Sequence, residues 1–501
     1  MTRLRARRGD LSDEKADLVV HFQFEGDSTP ATLSDSGLRK ALAPVLRGDA
    51  FEGKLDHSLL WHGDGRRPAA RYLVQGLGRK ESFGPEVLHR VAELTGGRAL
   101  GLKAERVGMA LGAPAAWGME IEDAARTASA GFLYGCYRFD KYLSTKRQEP
   151  APRDLLIGIP KGDPDRVGPA LEEAQHVDAV LHLARDLVSE HPGYLHPRRM
   201  AEIAAREARK ARIECRVIDE AEMRKLGMGG MLGVSRGSEH PAVLIHLHYR
   251  PRSSKRKKRP VRVVFVGKGV TFDTGGISIK QADGMEAMKA DMAGSATVLA
   301  TLLALPALGI DAEVHGLMMM VENMPDGRAI RPGDILRIYN GKTVEIKSTD
   351  AEGRLILADG LSWACRQLKP DYLLDLATLT GAVMVGLGPA CTGVMGNDQR
   401  FINLLLRSAA EAGEKMWQLP LYPEYREHIR SDVATVKNSG IRYGGAITAG
   451  LFLQEFVEPQ VPWIHLDIAG PAFFENGYSY ASRGATGHGV KTLLQLLRHL
   501  S

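Results

Sequence analysis

The chain has 501 residues, of which 44% are hydrophobic and 25% are charged, and its formal net charge is +6 at neutral pH. This composition is typical of a globular protein with two or three domains and excludes a largely disordered chain. The longest apolar run, 296–310, contains threonines, a proline and a glycine and is shorter than the roughly 18–20 residues that a membrane span needs, so we interpret it as a buried helix.

The N-terminal stretch MTRLRARRGDLSDEKADLVVHF is basic at first and then acidic. It has neither the apolar core nor the small-residue cleavage site of a signal peptide, so we expect a cytoplasmic location and no association with a membrane. The four cysteines lie far apart and without Cys-x-x-Cys spacing. They are predicted to be buried thiols, not parts of a disulfide framework or a zinc ribbon.

Residues 1–167 are predicted to form the smaller of two α/β domains. Short apolar runs at 16–22, 71–77, 106–112 and 154–160 are typical of strands, and helical spacing of apolar residues occurs over 85–100 and 121–139. The glycine-containing segment 75–84 does not follow the phosphate-loop pattern. This domain shows no cluster of acids, histidines or cysteines that predicts a reaction.

Residues 168–197 are predicted to connect the domains. Apolar residues recur at helical spacing over 168–190, and the segment HPGYLHP that follows contains two prolines, which end the helix.

Residues 198–501 are predicted to form a larger α/β catalytic domain with a mostly parallel central sheet. Continuous apolar runs at 261–267, 312–321, 371–377 and 463–470 are typical of buried parallel strands. Ligands of such sheets bind beyond the carboxyl ends of the strands. Each run is followed by an unusual polar or glycine-rich segment, so a site is expected there.

A basic run, RPRSSKRKKRPVR at 250–262, contributes much of the positive charge. Such a cluster could bind nucleic acid or an acidic surface. It lies between two strand-like runs and has no interleaved aromatic residues, so we favour a solvated loop.

Charged residues concentrate in two segments, 267–294 and 347–355, and each segment follows a strand-like run. The first contains Lys268, Asp273, Lys280 and Asp291, and the second contains Asp350, Glu352 and Arg354. In an extended segment alternate side chains point the same way, so the last three residues are expected to face one cavity. The alternative for a single acid pair near a strand end is a helix cap or a surface ion pair.

Four carboxylates in one pocket repel one another and protonate unless cations neutralise them. Divalent metals provide that charge, and oxygen ligands without cysteine or histidine suit Mg²⁺ or Mn²⁺, while Zn²⁺ also accepts carboxylates. Two metals about 3.5–4 Å apart would activate a hydroxide and stabilise an oxyanion, as in aminopeptidases, phosphatases and nucleases. The glycine-rich GKGVTFDTGG strengthens this interpretation, since it permits close approach of the backbone.

Six motifs in order through 220–495 resemble the catalytic domain of the leucyl (cytosol) aminopeptidase family: VGKGVTFDTGGISIK, MKADMAGSATV, VENMPDGRAIRPGDI, STDAEGRLILADGL, DLATLTGA and HLDIAG…RGATGHGV. The resemblance implies a two-metal exopeptidase with Mn²⁺ or Zn²⁺. Its metal ligands would be Lys268, Asp273, Asp291, Asp350 and Glu352, with Asp273 and Glu352 bridging. Where family members have asparagine, this chain has Ser348, which also forms hydrogen bonds, so little loss of function is expected.

The resemblance also implies roles for the other residues. Lys280 would polarise the carbonyl and stabilise the oxyanion, and Arg354 would hold a bicarbonate that acts as general base. Substrate-binding residues would be Met288, Thr378, Leu379, Gly381, Ala469 and Ala472, which suit an apolar first residue of a peptide substrate. A homohexamer is expected by the same resemblance.

The sequence leaves two alternative functions, both less favoured than an aminopeptidase. Some members of the family act as DNA-binding accessory or regulatory proteins, and this chain is basic, but nucleic acid is the less favoured partner. Another two-metal hydrolase, such as a phosphatase, is disfavoured by Lys268 and by the specificity of the motifs.

Overall fold

The computed structural model describes residues 2–63, 65–144, 151–160, 164–251, 259–478 and 481–501. The chain divides into two compact units, 1–182 and 183–501. This division falls inside a helix, Gly168–Ser189, which was predicted as the connecting segment. Each unit is described separately below.

The N-terminal unit is built on one six-stranded sheet. Its strands are β1 (Arg3–Arg8), β2 (Leu18–Gln23), β3 (Ser58–His62), β4 (Arg71–Gly76), β5 (Arg106–Ala110) and β6 (Asp154–Ile159). Its helices are α1 (Ser36–Gly48), α2 (Pro85–Gly101), α3 (Pro114–Trp117) and α4 (Ile121–Gly135), and α5 (Gly168–Ser189) crosses the division. The strand order is β1-β6-β5-β2-β4-β3, and only the β3–β4 pair is antiparallel.

All four strands and both helices predicted for this unit are present. The sequence did not predict the strands β1 and β3 or the helices α1 and α3. Both strands lie at edges of the sheet, and β1, with the sequence RLRARR, lacks the apolar run that identifies a central strand. Helix α1 follows an N-cap, since the Asp35 carboxylate accepts a hydrogen bond from the Leu38 amide.

The C-terminal unit contains the remaining elements. Its helices are α6 (Pro197–Ala211), α7 (Glu220–Leu226), α8 (Gly229–Val234), α9 (Ala293–Leu308), α10 (Gly353–Trp363), α11 (Gly381–Leu387), α12 (Gln399–Ala412), α13 (Gly445–Gln454) and α14 (Val490–Leu500). Its longer strands are β7 (Glu214–Ile218), β8 (Val243–Tyr249), β9 (Val261–Asp273), β10 (Ala312–Asn323), β13 (Tyr372–Ala377), β14 (Thr392–Gly396) and β17 (Trp463–Asp467). The short strands are β11 (Ile335–Arg337), β12 (Thr343–Glu345), β15 (Met416–Gln418), β16 (Val436–Lys437), β18 (Phe473–Phe474) and β19 (Gly484–Ala485).

An eight-stranded sheet forms the centre of this unit, in the order β15-β14-β17-β13-β9-β10-β8-β7. The four inner strands β17, β13, β9 and β10 are mutually parallel, and the sheet gains antiparallel neighbours on both sides. These inner strands are the four predicted from continuous apolar runs. The two-domain α/β fold with a mostly parallel central sheet is therefore confirmed.

Helix α9 packs in the core of the C-terminal unit. By length and composition alone the stretch Met285–Leu308 could cross a membrane, but 78% of its most apolar 18-residue window is buried inside the protein. The prediction of a buried helix is confirmed, with the helix beginning at Ala293.

The basic run is only partly described, because residues 252–258 lie outside the described ranges. The strands that flank it, β8 and β9, end at Tyr249 and begin at Val261. All four cysteines are free thiols, and Cys365 alone among them is buried. The other three are partly exposed, so the expectation of buried thiols is wrong for them.

Candidate active site and metal centre

Strand β9 carries two of the predicted metal ligands. It continues for six residues beyond the predicted run, so that Lys268 lies within it and Asp273 is its last residue. The neighbouring strand β10 pairs alongside, with Met319 opposite Lys268 and Asn323 opposite Asp273. Both ligands are buried at the carboxyl end of the parallel strands, where the sequence predicted a site.

Asp291 is placed by a short 3₁₀ helix, Met285–Ala290, and lies just before α9. Its carboxylate accepts a hydrogen bond from the Thr378 hydroxyl at 2.8 Å and lies 2.8 Å from the Lys268 ammonium. The Lys268 ammonium also donates to the Thr378 carbonyl at 3.0 Å. The loop after β13 thereby contacts both Lys268 on β9 and Asp291 just before α9.

Asp350 and Glu352 come from the loop that precedes α10. The Glu352 carboxylate lies 2.9 Å from the Lys268 ammonium. The Lys280 ammonium forms ion pairs with Asp273, at 2.8 Å, and with Asp350. Two lysines thus lie between the four carboxylates, and one ligand atom from each of Asp273, Asp350 and Glu352 lies within 4.8 Å of the others.

The electrostatics of the centre reflect burial and crowding of like charges. Burial and the Glu352 carboxylate raise the pKa of Asp273 to about 6, although both lysines oppose the shift. Burial also raises the pKa of Asp291 well above its usual range. For Glu352, burial acts in the same direction, but Lys268 and Lys280 lower its pKa overall. Additional positive charge would therefore be accommodated here.

The donor set fits divalent metal ions. The second carboxylate oxygen of Glu352, Oε2, is buried and has no hydrogen-bond partner within the described part of the chain. Such an orphaned buried oxygen is costly unless a cation binds it. Four carboxylates and one amine within one pocket are hard and borderline donors that suit Mn²⁺ and Zn²⁺.

Arg354 is positioned by a helix, so the expectation of an extended segment is wrong. Glu352 already has helical backbone angles, with φ −74° and ψ −37°, and Arg354 lies in the first turn of α10. The alternation argument therefore does not apply to Asp350, Glu352 and Arg354. The Arg354 side chain is buried and donates from Nη1 to the Asn438 carbonyl at 2.7 Å, while its Nε has no hydrogen-bond partner among the described residues.

Most residues predicted to bind substrate lie near these ligands in the chain or in space. Thr378 contacts Asp291 and Lys268 directly, and Gly381 begins α11 three residues later. The amides of Leu379 and Ala469 both donate to the Asp467 carboxylate, at 3.1 and 3.3 Å.

The remaining two predicted substrate-binding residues differ in exposure. Met288 lies on the 3₁₀ helix before Asp291 and is partly exposed. Ala472 is only 3% exposed, and its amide donates to the Ile468 carbonyl. Of the six predicted residues, Ala472 is therefore the least accessible to a ligand.

Three buried polar residues position the site and were not predicted individually. Asn323 donates to the Asp273 carboxylate at 2.8 Å and to the Thr349 carbonyl at 3.1 Å. Asn438 accepts from the Lys347 amide and donates to the Ser348 carbonyl, which fixes the loop before Glu352. The third residue is Asp467, which accepts from three amides and from the Thr380 hydroxyl.

The sequence carried a signal for two of these residues, since Asn323 and Asp467 lie within the quoted motifs. Asn438 lies outside them, and its role depends on a contact across about ninety residues of chain. Ser348, which departs from the family pattern, accepts a hydrogen bond from the Asp350 amide through its hydroxyl at 3.2 Å. The substitution therefore keeps a polar contact in this loop.

Comparison with known proteins identifies the family. The family model described as "Cytosol aminopeptidase family, catalytic domain" matches residues 182–494. The model for the N-terminal domain of the same family matches residues 19–146. The chain belongs to the cytosol aminopeptidase family. It is accordingly a metal-dependent aminopeptidase, a hydrolase of the leucyl aminopeptidase type.

Relatives match along nearly the whole chain. The probable cytosol aminopeptidase of Geobacter sp. (strain M21) is 42% identical over 466 residues, which cover 93% of both chains. That of Sulfurihydrogenibium sp. (strain YO3AOP1) is 39% identical over 488 residues, covering 96% of this chain and 95% of the relative.

Solved structures of similar proteins share the fold. The bottromycin maturation enzyme BotP in complex with Mn is 35% identical, with a TM-score of 0.85 over 97% of this chain and 99% of BotP. A variant of tomato leucine aminopeptidase is 30% identical, with a TM-score of 0.88 over 100% of this chain and 97% of the tomato protein.

Proposed function

We propose that this aminopeptidase uses two divalent metal ions to release leucine or another apolar residue from the N-terminus of peptides. One observation carries the proposal: four carboxylates and the buried Lys268 amine, from three separate segments, converge on one pocket, and the Glu352 Oε2 atom has no hydrogen-bond partner among the described residues. Mn²⁺ and Zn²⁺ are the ions that this donor set suits. The Mn complex of the similar BotP is consistent with the first of them.

The ions would be held by the five predicted ligands. Those ligands would be Lys268, Asp273, Asp291, Asp350 and Glu352. When bound, the ions would neutralise the carboxylates and make water a nucleophile at neutral pH. Ligation by Lys268 requires its neutral amine, and the approach of dications would favour loss of the ammonium proton.

Lys280 is proposed to stabilise the oxyanion that develops on the substrate carbonyl. Its pKa is raised, because the Asp273 and Glu352 carboxylates outweigh the opposing effect of burial, so it remains an ammonium cation. The ion-pair partners of Lys280 are Asp273 and Asp350. If cations neutralised these two carboxylates, the Lys280 ammonium would become available to a substrate oxygen. A positioned cation in a site that excludes water stabilises developing negative charge strongly.

Arg354 is proposed to hold bicarbonate, which would accept a proton during hydrolysis. Burial lowers the pKa of Arg354 to about 10, while Glu352 and Asp467 oppose the shift, so the guanidinium stays charged at neutral pH. Its unpartnered Nε can donate to an anion. Arginine binds planar oxyanions well because its donors form a fixed fork.

Substrate binding is assigned to the loop after β13. The Asp467 carboxylate fixes the amides of Leu379 and Thr380, so the backbone of 378–381 presents a rigid edge to a peptide main chain. The proposed side chains around it are apolar or small, which suits leucine. We expect the free amine of the substrate to be bound in the metal centre, so that only the first residue is released.

The assembly and location of the protein are also proposals. We expect a homohexamer, with a solution mass about six times 54.6 kDa, and multi-angle light scattering measures it directly. A cytoplasmic location is consistent with the family. No observation on the described residues favours DNA binding, so the alternative of a DNA-binding accessory or regulatory protein is not proposed.

The activity is tested with matched free and blocked substrates. The purified protein should release leucine from a short peptide with a free N-terminus and should leave its N-acetylated counterpart intact. A chelator should abolish the release, and Mn²⁺ or Zn²⁺ should restore it. Comparable cleavage of the acetylated peptide would refute an exopeptidase that needs a free amine.

A further inference from the structure

A second cluster of potential metal ligands lies on the central sheet, away from the active site. It consists of His246 and His248 on β8 and of Glu313 and His315 on β10, and we call it the histidine cluster. The two strands are antiparallel neighbours, with His315 directly opposite His248. Residues two apart in a strand share a face of the sheet, so all four side chains meet on one side.

The histidine cluster satisfies the same distance criterion as the active-site carboxylates. One ligand atom from each of His248, Glu313 and His315 lies within 4.8 Å of the others, and among the described residues just two groups of three behave in this way. The Glu313 Oε1 atom lies 2.9 Å from His248 Nε2 and 3.6 Å from His315 Nε2. These distances bracket the separation of about 3.4 Å expected for two ligands of a tetrahedral Zn²⁺.

His248, Glu313 and His315 each make a second contact, through the atom that does not face the other two residues. The other ring nitrogen of His315, Nδ1, lies 2.9 Å from His246 Nε2, and that of His248 lies 3.3 Å from a Glu214 carboxylate oxygen. Arg262 donates from Nε to the remaining oxygen of Glu313 at 2.9 Å. Metal-binding histidines almost always have such an outer partner, which fixes the ring and its tautomer.

The surroundings of the cluster leave it accessible to a cation from solvent. The cluster lies just below the surface, since the Glu214 side chain beside it is 66% exposed. Arg250 Nε lies 3.4 Å from His248 Nε2, but its side chain is also 66% exposed and is able to turn into solvent.

The cluster is distinct from the catalytic centre. His315 pairs with Val264 and Met319 pairs with Lys268, so at least four residues of parallel strand, or about 13 Å, separate the two places. The histidine cluster is at the amino end of the parallel strands, and the active site is at their carboxyl end.

We propose that the histidine cluster is a third metal site, in which His248, His315 and Glu313 bind one Zn²⁺ and an external water completes the coordination. Two histidines, one glutamate and an open position form a donor set that zinc accepts. The ion would lie between His248 on β8 and Glu313 and His315 on β10 and would therefore link the two strands. Because it would bind the folded chain and not the unfolded chain, zinc should raise the unfolding temperature through this site.

The test counts metal ions in the full-length protein. Wild type, His315→Gln and His248→Gln are loaded with Zn²⁺, freed of unbound metal by gel filtration and analysed for zinc by mass spectrometry. Each variant should contain one zinc fewer per chain than wild type, and each should hydrolyse leucyl peptides at the wild-type rate. Exposed His57 gives the matched control, since His57→Gln should keep the full zinc content.

The active-site ions are separated from this site by an additional variant. Asp273→Ala, which alters the catalytic centre, should retain the zinc that both histidine variants lose. The zinc content of the histidine cluster can therefore be measured even if the proposed two-metal activity is absent. Should His315→Gln fail to fold by circular dichroism, the more accessible His248→Gln decides. Equal zinc in wild type and the folded histidine variants, or an equal loss in His57→Gln, would overturn the third site.

Discussion

At the scale of single residues, the active site separates groups that would hold metal from groups that would act on the substrate. Lys268 is 3% exposed and lies between Asp291 and Glu352, so it has no access to a substrate without leaving its position between these two carboxylates. Lys280 is more accessible, with its side chain 22% exposed, and it pairs with the other two carboxylates, Asp273 and Asp350. Two lysines in one pocket are therefore expected to have different roles.

Substitution of Lys280 or Arg354 should separate catalysis from metal binding. Lys280→Ala and Arg354→Ala should keep their metal content, because neither residue is a proposed ligand. Turnover should fall by about 10²–10³ when an oxyanion contact is lost. Loss of general-base assistance should cost about 10²–10⁴. Turnover on leucyl peptides and metal content by elemental analysis measure the two effects.

The control for these variants is Asp273→Ala, in which the active-site metal and the activity should disappear together. Added bicarbonate gives a further distinction. Any stimulation seen in wild type should persist in Lys280→Ala and be absent from Arg354→Ala. Wild-type turnover in Arg354→Ala would refute its role, and loss of metal from Lys280→Ala would make that lysine a ligand.

At the scale of elements, the sequence predicted the inner strands well because burial on both faces leaves continuous apolar runs, as in β9, β10 and β13. The point where an element ends was less predictable. Strand β9 continues through charged and glycine residues to Asp273, because β10 pairs with it along almost its full length. The segment around Arg354 was predicted as extended, but tertiary contacts from Asn438 place the preceding loop so that α10 begins at Gly353.

The histidine cluster also could not be predicted from the sequence, because it depends on how two strands pair. His-x-His and Glu-x-His are visible in the sequence at 246–248 and 313–315, and both lie in apolar strand-like segments. Their meeting depends on the antiparallel pairing and register of β8 and β10, since a shift by one residue would move one pair to the other face of the sheet. Spacing within one strand carries no information on that register.

Close packing of α2 on α4 in the N-terminal unit gives a prediction about stability. A Cβ at Gly96 would lie 2.2 Å from the Phe132 carbonyl oxygen, whereas one at neighbouring Gly97 would meet its nearest atom at 3.8 Å. Gly96→Ala should therefore destabilise the protein by about 1–3 kcal/mol, as overpacked cores do. Gly97→Ala is the matched control and should be neutral or stabilising by up to about 1 kcal/mol, since alanine favours helix.

Thermal and urea unfolding of both variants measure this difference. Aminopeptidase activity at low temperature should remain at the wild-type level in each, because α2 and α4 carry none of the proposed ligands. Similar stability of the two variants would show that the helices separate enough to accept a methyl group.

At the scale of the whole molecule, the two units have unequal shares in the proposed chemistry. All five proposed ligands lie in the C-terminal unit, on segments of β9, of the turn before α9 and of the loop before α10. Lysine–carboxylate pairs and the side-chain amides of Asn323 and Asn438 hold these segments together. Metal ions would add bonds between segments that are far apart in the chain.

Metal binding should therefore reduce local opening of the C-terminal unit in a pattern that hydrogen exchange can map. Adding Mn²⁺ to the stripped protein should slow amide exchange in 268–291 and 346–354, because opening these segments would then require loss of the ions. Peptides from residues 2–144 of the N-terminal unit should exchange at unchanged rates. Asp273→Ala should show no slowing in either region. Slowing confined to 243–249 and 312–316 would place the ion in the histidine cluster instead, and unchanged exchange throughout would contradict metal binding at the carboxylate centre.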